Sequence, residues 1–344
     1  MTRGWLLTRS EAAGASSGSE ASPALDARLA DLDADDALGG ALLVEGAVGD
    51  VTVDVTHSSL NFKDALAFNG NRGVARISPL VPGIDVVGIV TESHHPRWRA
   101  GDRVLLNGAG AGETRHGGLA ERAVLDGGTL VAVPASLSNA RAAAVGTAGF
   151  TAMMAVLALE KHGVPDGDVL VTGASGGLGS YSVALLAASG RRVVAATGSR
   201  DHVDALRALG AAEVIDRSEL DRESKPLESQ RWAAAVDAVG GRSLATVLAT
   251  TAPNGAVVAC GNASSPDLPT TVMPFILRGV ALLGANSTAA PLAVREHAWG
   301  RLGADLEPSM IDSLTRWVDL ESAADAAAEL LSGAVRGRVG VTIE

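Results

Sequence analysis

Hydrophobic and polar positions alternate through VTVDVTH, residues 51–57, and a period of two predicts a half-buried strand. Short β-rich runs follow at VVGIV, DRVLL and LVAVP, separated by turns such as VPGID and RAGD. From Ala41 to about Val133 this is the pattern of an antiparallel β-rich domain, a sandwich or a partly open barrel. Residues 10–40, rich in Ala, Ser, Gly and Asp, read as a mobile surface loop or an irregular edge hairpin.

After Pro134 the rhythm changes. SLSNARAAAVGTAGFTAMMAVLALEKHGV predicts one or two helices, with Ser138 as N-cap and Gly163 as the stop. Strands and helices then alternate: DVLVTG, a helix from about Gly177 to Ala188, RRVVAAT, a helix from about His202 to Leu209, EVID, AAAVDAV, a helix, GAVVACG and VALLGAN. Six strands with helical crossovers predict a doubly wound parallel sheet. Beyond Pro308 come an amphipathic helix, ESAADAAAELLSG, and a strand, RVGVTIE, expected to return to the first domain. The expectation is an α/β chain of two domains, residues 1–135 with 308–344, and residues 136–307.

Composition narrows the partners. A net charge of −11 argues against a nucleic-acid backbone, which calls for a basic face. No apolar run reaches the ~18 residues that span a bilayer, and MTRGWLLTRSEAAG is a poor signal peptide, so no membrane partner is expected. The single cysteine, Cys260, rules out an intrachain disulfide and any site needing two Cys ligands from one chain. A reducing, cytoplasmic setting is expected.

The segment VLVTGASGGLGSYSVALLAASG carries the sharpest local signal. Ala174, Gly176 and Gly179 give A-x-G-x-x-G between a strand and a helix, with Ser175, Gly177 and Leu178 completing the turn. Small residues let backbone approach a pyrophosphate, and free N–H groups at the helix N-terminus bind its charge. The next strand ends AATGSRD, where an NAD site places an acidic residue for the ribose. Thr197, Ser199 and Arg200 come first and Asp201 follows too late. Hydroxyls and a guanidinium suit a 2′-phosphate, so NADPH is the expected cofactor; the competing reading of Arg200 is a solvated helix-start residue.

A β-rich first domain, an inserted nucleotide-binding domain and a returning strand resemble the medium-chain dehydrogenase/reductase superfamily, which implies a GroES-like catalytic domain and a Rossmann domain. Zinc-dependent members carry a Cys near the position of Asn61 and a Gly-His-Glu near Gly83-Ile84-Asp85. Neither is present here, and the adjacent His94 and His95 have no obvious third ligand, so no metal is expected. Five stretches, SSLNFKDALAFNG, VPGIDVVGIV, LLNGAGAGETRHGGLAERA, GTAGFTAMMAVLALE and LPTTVMPFILRGVALLGANS, are similar to the zinc-free quinone oxidoreductases of the YhdH/AcuI type, which include acrylyl-CoA reductases. The resemblance implies a homodimer that reduces an activated C=C bond with NADPH, acting on an enoyl-CoA such as acryloyl-CoA. A quinone or enone reductase is the alternative, and a non-catalytic NADPH-binding protein a remote one.

Such a reaction builds negative charge on a carbonyl oxygen, which needs a preorganised donor. Asn61, at a helix start, is the candidate donor to the nicotinamide or substrate carbonyl. Lys63 is read as its support or as a solvated surface charge, and Asp64 as an orienting group or a helix cap. Tyr181, on the helix after the glycines, reads as packing. The family match adds Thr147, whose hydroxyl either reaches the nicotinamide or caps a helix. It also adds Gly261 and Asn262 after the fifth strand, Asn286 and Ser287 after the sixth, and Arg338 on the returning strand as a contact to cofactor phosphate or substrate. Arg278 reads as a dimer contact or a substrate-mouth residue.

Overall fold

The structure, a computed structural model, describes residues 2–9, 25–33 and 49–343. Two stretches of the expected surface loop, residues 10–24 and 34–40, lie outside them. Contacts divide the chain into two compact units. The first takes in the chain up to Thr147, Thr288–Trp299 and the chain from Thr315; the second comprises Ala148–Ser287 and Gly300–Leu314. These boundaries differ from 135/136 and 307/308, because Asn139–Thr147 and Thr288–Trp299 make their contacts with the β-rich unit.

In the first unit, β1 (Arg3–Arg9) and β2 (Leu25–Asp31) pair antiparallel, so part of the expected loop is a regular strand. The main sheet runs β14 (Thr315–Asp319), β15 (Arg338–Thr342), β3 (Val51–Leu60), β4 (Asp85–Ser93), β5 (Arg103–Asn107) and β7 (Val131–Ala132), and β6 (Arg122–Leu125) pairs with β3. In β3 the alternation is real: Val51, Val53 and Val55 are buried while Asp54 between them is exposed. From Ser58 to Leu60 the strand is buried at every position, and there it pairs antiparallel with the returning β15. The valines pack with Trp5, Trp98 and Val341 in one core, where each fully buried aliphatic side chain contributes about 1.5–3 kcal/mol. Trp5 meets Phe68 edge-on and its indole N–H donates to Leu320 O at 2.6 Å.

The second unit is a six-stranded parallel sheet, ordered β10 (Ala211–Asp216), β9 (Val193–Thr197), β8 (Val169–Val171), β11 (Trp232–Asp237), β12 (Thr251–Ala259) and β13 (Ala281–Gly284). Chain order reverses between β8 and β11, and in such sheets ligands bind beyond the carboxyl ends of the strands at that point. The helix α3 (Gly177–Ala188) starts within the glycines, as the sequence pattern predicts. Tyr181 is fully buried on it.

Helix α2 (Asn139–His162) is opened by Ser138, whose Oγ accepts from Arg141 N at 3.2 Å. It is long and apolar enough to cross a membrane by length and composition, but 78% of its apolar window is buried inside the protein, as befits a core helix. It is broken at Gly146, with φ 49° and ψ −157°. An added Cβ there would lie 2.5 Å from Asp85 Oδ2, 2.6 Å from Ser59 Oγ and 2.8 Å from Arg338 Nη2. Only glycine meets both conditions: it adopts positive φ without strain and leaves room for those polar atoms.

Candidate active site

The break at Gly146 delivers Thr147 to a buried carboxylate. Asp85, at the start of β4 and fully buried, accepts from Thr147 Oγ1 at 2.6 Å and from Thr147 N at 3.0 Å to each oxygen. Ser59 Oγ donates to it at 2.6 Å, Asn107 Nδ2 at 2.7 Å and Asn61 Nδ2 at 2.8 Å. Arg338, on β15 and 4% exposed, completes the cluster. Its guanidinium donates to Ala144 O, Leu60 O, Asn61 Oδ1 and Ser59 Oγ at 2.7–3.2 Å, and its Nη2 lies 3.6 Å from Asp85 Oδ2. A buried charge needs this pairing and hydrogen bonding to be tolerated at all.

This geometry revises two sequence expectations. Arg338 is spent inside the first unit, on carbonyls and side chains of β3 and α2, so it is an internal brace rather than a phosphate contact. Asn61, 9% exposed, has its amide oxygen taken by Arg338 and its amide hydrogens directed to Asp85, to Asp64 Oδ2 at 3.3 Å and to Ser59 O at 3.4 Å. It holds the cluster together instead of presenting a free donor.

Asp64 caps α1 (Phe62–Phe68): its Oδ2 accepts from Asn61 N and its Oδ1 from Ile84 N, each at 2.8 Å. Burial, and secondarily the Asp85 charge, push its carboxyl up to about 7 against the N–H groups that favour the ionised form. Lys63 turns the other way. Its Nζ lies 3.0 and 3.1 Å from the oxygens of Glu113 and 3.2 Å from Thr288 Oγ1.

In the second unit the glycine turn fits a dinucleotide. A Cβ at Gly179 would lie 2.2 Å from Gly173 O, so only glycine allows helix and strand this close. The first-turn N–H groups of Gly177, Leu178 and Gly179 have no acceptor within their helix. Ala174 N instead donates to Ala196 O, and Ser175 Oγ accepts from Thr197 Oγ1 at 3.2 Å, tying the turn to the end of β9. Thr197 also accepts from Ser199 N and is buried, so it helps shape the turn. At the carboxyl end of β11, Asp237 accepts from Thr172 Oγ1 and Gly240 N, and the 260–264 loop bonds to Asp237–Val239 through Cys260 N, Ala263 N and Ser264 N. Gly261 and Asn262 lie on that loop; Asn286 and Ser287 follow β13. Burial pushes the Cys260 thiol up to about 12, so it is held as the unreactive thiol.

The Alcohol dehydrogenase GroES-like domain family matches residues 47–135, and the Zinc-binding dehydrogenase family matches residues 177–301. The chain is 49% identical to the probable acrylyl-CoA reductase AcuI of Escherichia coli, over 86% of this chain and 91% of that one. The chain belongs to the medium-chain dehydrogenase/reductase superfamily, in its YhdH/AcuI branch. The YhdH oxidoreductase of Salmonella enterica, solved in complex with NADP, is 43% identical over 99% of this chain and all of its own, with a TM-score of 0.89. Bacillus subtilis YhfP, solved with NAD bound and provisionally named a quinone oxidoreductase, is 36% identical over the whole of both chains, with a TM-score of 0.88.

The zinc in the second family's name does not fit these residues. Asn61 and Asp85 have their oxygens committed to Arg338, Ser59, Asn107 and Thr147, and a guanidinium already supplies the cation. Among the described residues no group of three or more His, Cys, Asp or Glu could hold a metal ion. Among the described residues the exposed His94 ring pairs with Glu92, at 3.5 Å, while His95 packs on Gly127. Arg278 donates to Ala249 O and Thr251 O at 3.0 Å and to Glu228 O, so it caps the end of α5 (Gly241–Thr250).

Several residues of the candidate site were not singled out from the sequence. Asp85 was noted only as the place where zinc-dependent relatives carry the Glu of Gly-His-Glu, not as the centre of a cluster. Glu113 is the one acid in a glycine-rich loop. Arg217 follows β10, and its guanidinium lies so close to Gly198 that an added Cβ there would sit 2.7 Å from Nε. Since Asp216 pairs with Thr197 in the parallel register, Arg217 and Gly198 are the next positions of neighbouring strands.

Proposed function

We propose that this protein reduces the C=C bond of an α,β-unsaturated acyl-CoA, of the acryloyl-CoA class, with NADPH. The observation that carries the acceptor is the 49% identity, across 86% of the chain, to a probable acrylyl-CoA reductase. Arg200 and Arg217 support the cofactor. Both bear on Asp216, lowering its carboxyl after the stronger effect of Ser218, so two cations gather where β9 and β10 end. This pair of cations supports binding of a 2′-phosphate there, with Ser199 preceding Arg200 in the chain.

Bound NADPH supplies a hydride to the β-carbon. The π electrons of the C=C bond move towards the thioester carbonyl, and the α-carbon then takes one proton from water, giving the saturated thioester. The protein's part is to hold the dinucleotide by the turn Ala174–Gly179 and to keep Thr147, Asn61 and Asp64 fixed through Asp85 and Arg338. It must also stabilise the charge on the carbonyl oxygen, an effect worth ~3 kcal/mol for one well-placed donor. We place the enzyme in the cytoplasm as a homodimer. Val272, Ile276, Leu277 and Leu282 are exposed on and beside β13, the strand at the edge of the parallel sheet, and suit a second copy.

The test is NADPH oxidation with acryloyl-CoA, crotonyl-CoA and simple quinones, with NADH in parallel. Turnover of quinones with neither thioester reduced would replace this reading by the quinone reductase that the likeness to YhfP favours. Preference for NADH would remove the 2′-phosphate site.

A further inference from the structure

Glu113 is 5% exposed, yet it is a carboxylate in a glycine-rich surface loop. The loop fixes it from both sides, since Arg76 N donates to Glu113 O at 2.9 Å and Glu113 N to Gly110 O at 3.1 Å. Sinking an anion is costly unless it is paired, and its ion-pair partner among the described residues is Lys63. The burial is lopsided: the Glu113 side chain is 7% exposed and that of Lys63 41%. The carboxylate is therefore a buried grip that holds an ammonium at the surface.

An ammonium has three N–H groups. Both oxygens of the Glu113 carboxylate and Thr288 Oγ1 lie on one side of it, and Thr288 is itself anchored to this unit through its carbonyl, which accepts from Ala109 N and Arg295 Nη2. The Lys63 side chain is nevertheless 41% exposed, so the held ammonium still meets solvent. Asn61, two residues away, has no such exposure. Asp64, the next charge on α1, turns inward to Asn61 N and Ile84 N.

We infer that Lys63 is the catalytic donor to the carbonyl oxygen of the acceptor, and that Glu113 and Thr288 are its positioning residues. This rests on the reductase reading above. The charge that grows on the oxygen of an enoyl thioester, enone or quinone meets a cation whose direction is set before the acceptor arrives, so no reorganisation is needed as the charge develops. Glu113 holds the donor in place and so keeps Lys63 aimed.

The variants Lys63→Met, Lys63→Arg and Glu113→Gln are assayed with NADPH against acryloyl-CoA and a quinone. Binding of NADPH and of butanoyl-CoA, a saturated thioester, is measured by calorimetry. Lys63→Met should lower kcat about 100-fold or more and weaken butanoyl-CoA severalfold, with the Kd for NADPH unchanged. Lys63→Arg should recover part of the loss. Glu113→Gln should lower kcat less than Lys63→Met, with KM and the Kd for NADPH nearly unchanged, because the donor is present but no longer held in one direction. A Lys63→Met enzyme with near-normal kcat on every acceptor the wild type reduces overturns the donor assignment. A Glu113→Gln enzyme that is less stable but keeps its kcat overturns the positioning role. A wild type that reduces only quinones ends the thioester reading, and the same variants on the quinone still decide Lys63; a wild type inert to both overturns both.

Discussion

Asp85 Oδ2 and Arg338 Nη2 lie 3.6 Å apart where neither meets water, the residues being 0% and 4% exposed. They lie far apart in the chain, and Ser59 and Asn61 between them donate to one and accept from the other. Ser59 Oγ does both, donating to Asp85 at 2.6 Å and accepting from Arg338 at 2.7 Å.

Removing either charge strands the other. Asp85→Asn and Arg338→Met should each cost about 3–5 kcal/mol in urea unfolding. The double variant should lose less than the sum, and the shortfall measures their coupling. Additive losses would show that the ions act separately.

Gly146→Ala places a methyl group against Asp85, Ser59 and Arg338 at a positive φ. We expect a loss of at least about 2 kcal/mol, with a fall in activity because Thr147 is displaced from Asp85. An alanine variant as stable as wild type would mean that the break in α2 is not required.

Asp64 sets a pH dependence with a definite sign. Its folded carboxyl, at about 7, lies above the ordinary 3.8. The folded state therefore keeps a proton that the unfolded chain releases, and the stability this contributes is full below about pH 4. It is lost as pH rises through 7. Against an Asp64→Asn reference, wild-type stability should fall between pH 4 and 7.5 by up to about 4 kcal/mol. A flat difference would place the carboxyl in its ordinary range.

Arg217→Ala should weaken NADPH about tenfold or more, a charge-assisted bond to phosphate being worth about 1.5–3 kcal/mol, and leave NADH unchanged. Fluorescence titration with both cofactors decides it; equal weakening of the two would assign Arg217 to the fold of the Gly198 turn.

Ile276→Glu should shift the protein from dimer to monomer in sedimentation velocity, since it puts a charge into the exposed apolar edge beside β13. A dimer that survives this substitution uses another surface.

What the sequence made legible was local. All six parallel strands were visible because each is a short apolar run bounded by turn or helix signals, and α3 begins and ends where the glycines and the small residues said it would. Asn61 and Arg338 were visible as candidates but not in their roles. Nothing near Arg338 in the sequence says that its donors go to Ala144, Leu60, Asn61 and Ser59. Asp85 was hidden for the same reason: its partners come from residues 59, 61, 107, 147 and 338. Arg217 was recoverable in principle, by aligning the ends of two consecutive parallel strands.

Arg338 reaches Asn61 across 277 positions of chain, and the strand that carries it lies between β14 and β3. At a ribosomal pace of about 5–20 residues per second, the first strands of the β-rich unit wait tens of seconds for this arginine. Until then Asp85 has neutral donors but no cation, and Leu60 offers an unpaired edge. The nascent chain must shelter that edge while the parallel sheet, nearly contiguous in sequence, is free to form. Chaperone dependence during synthesis should accordingly fall on the β-rich unit, although it emerges first.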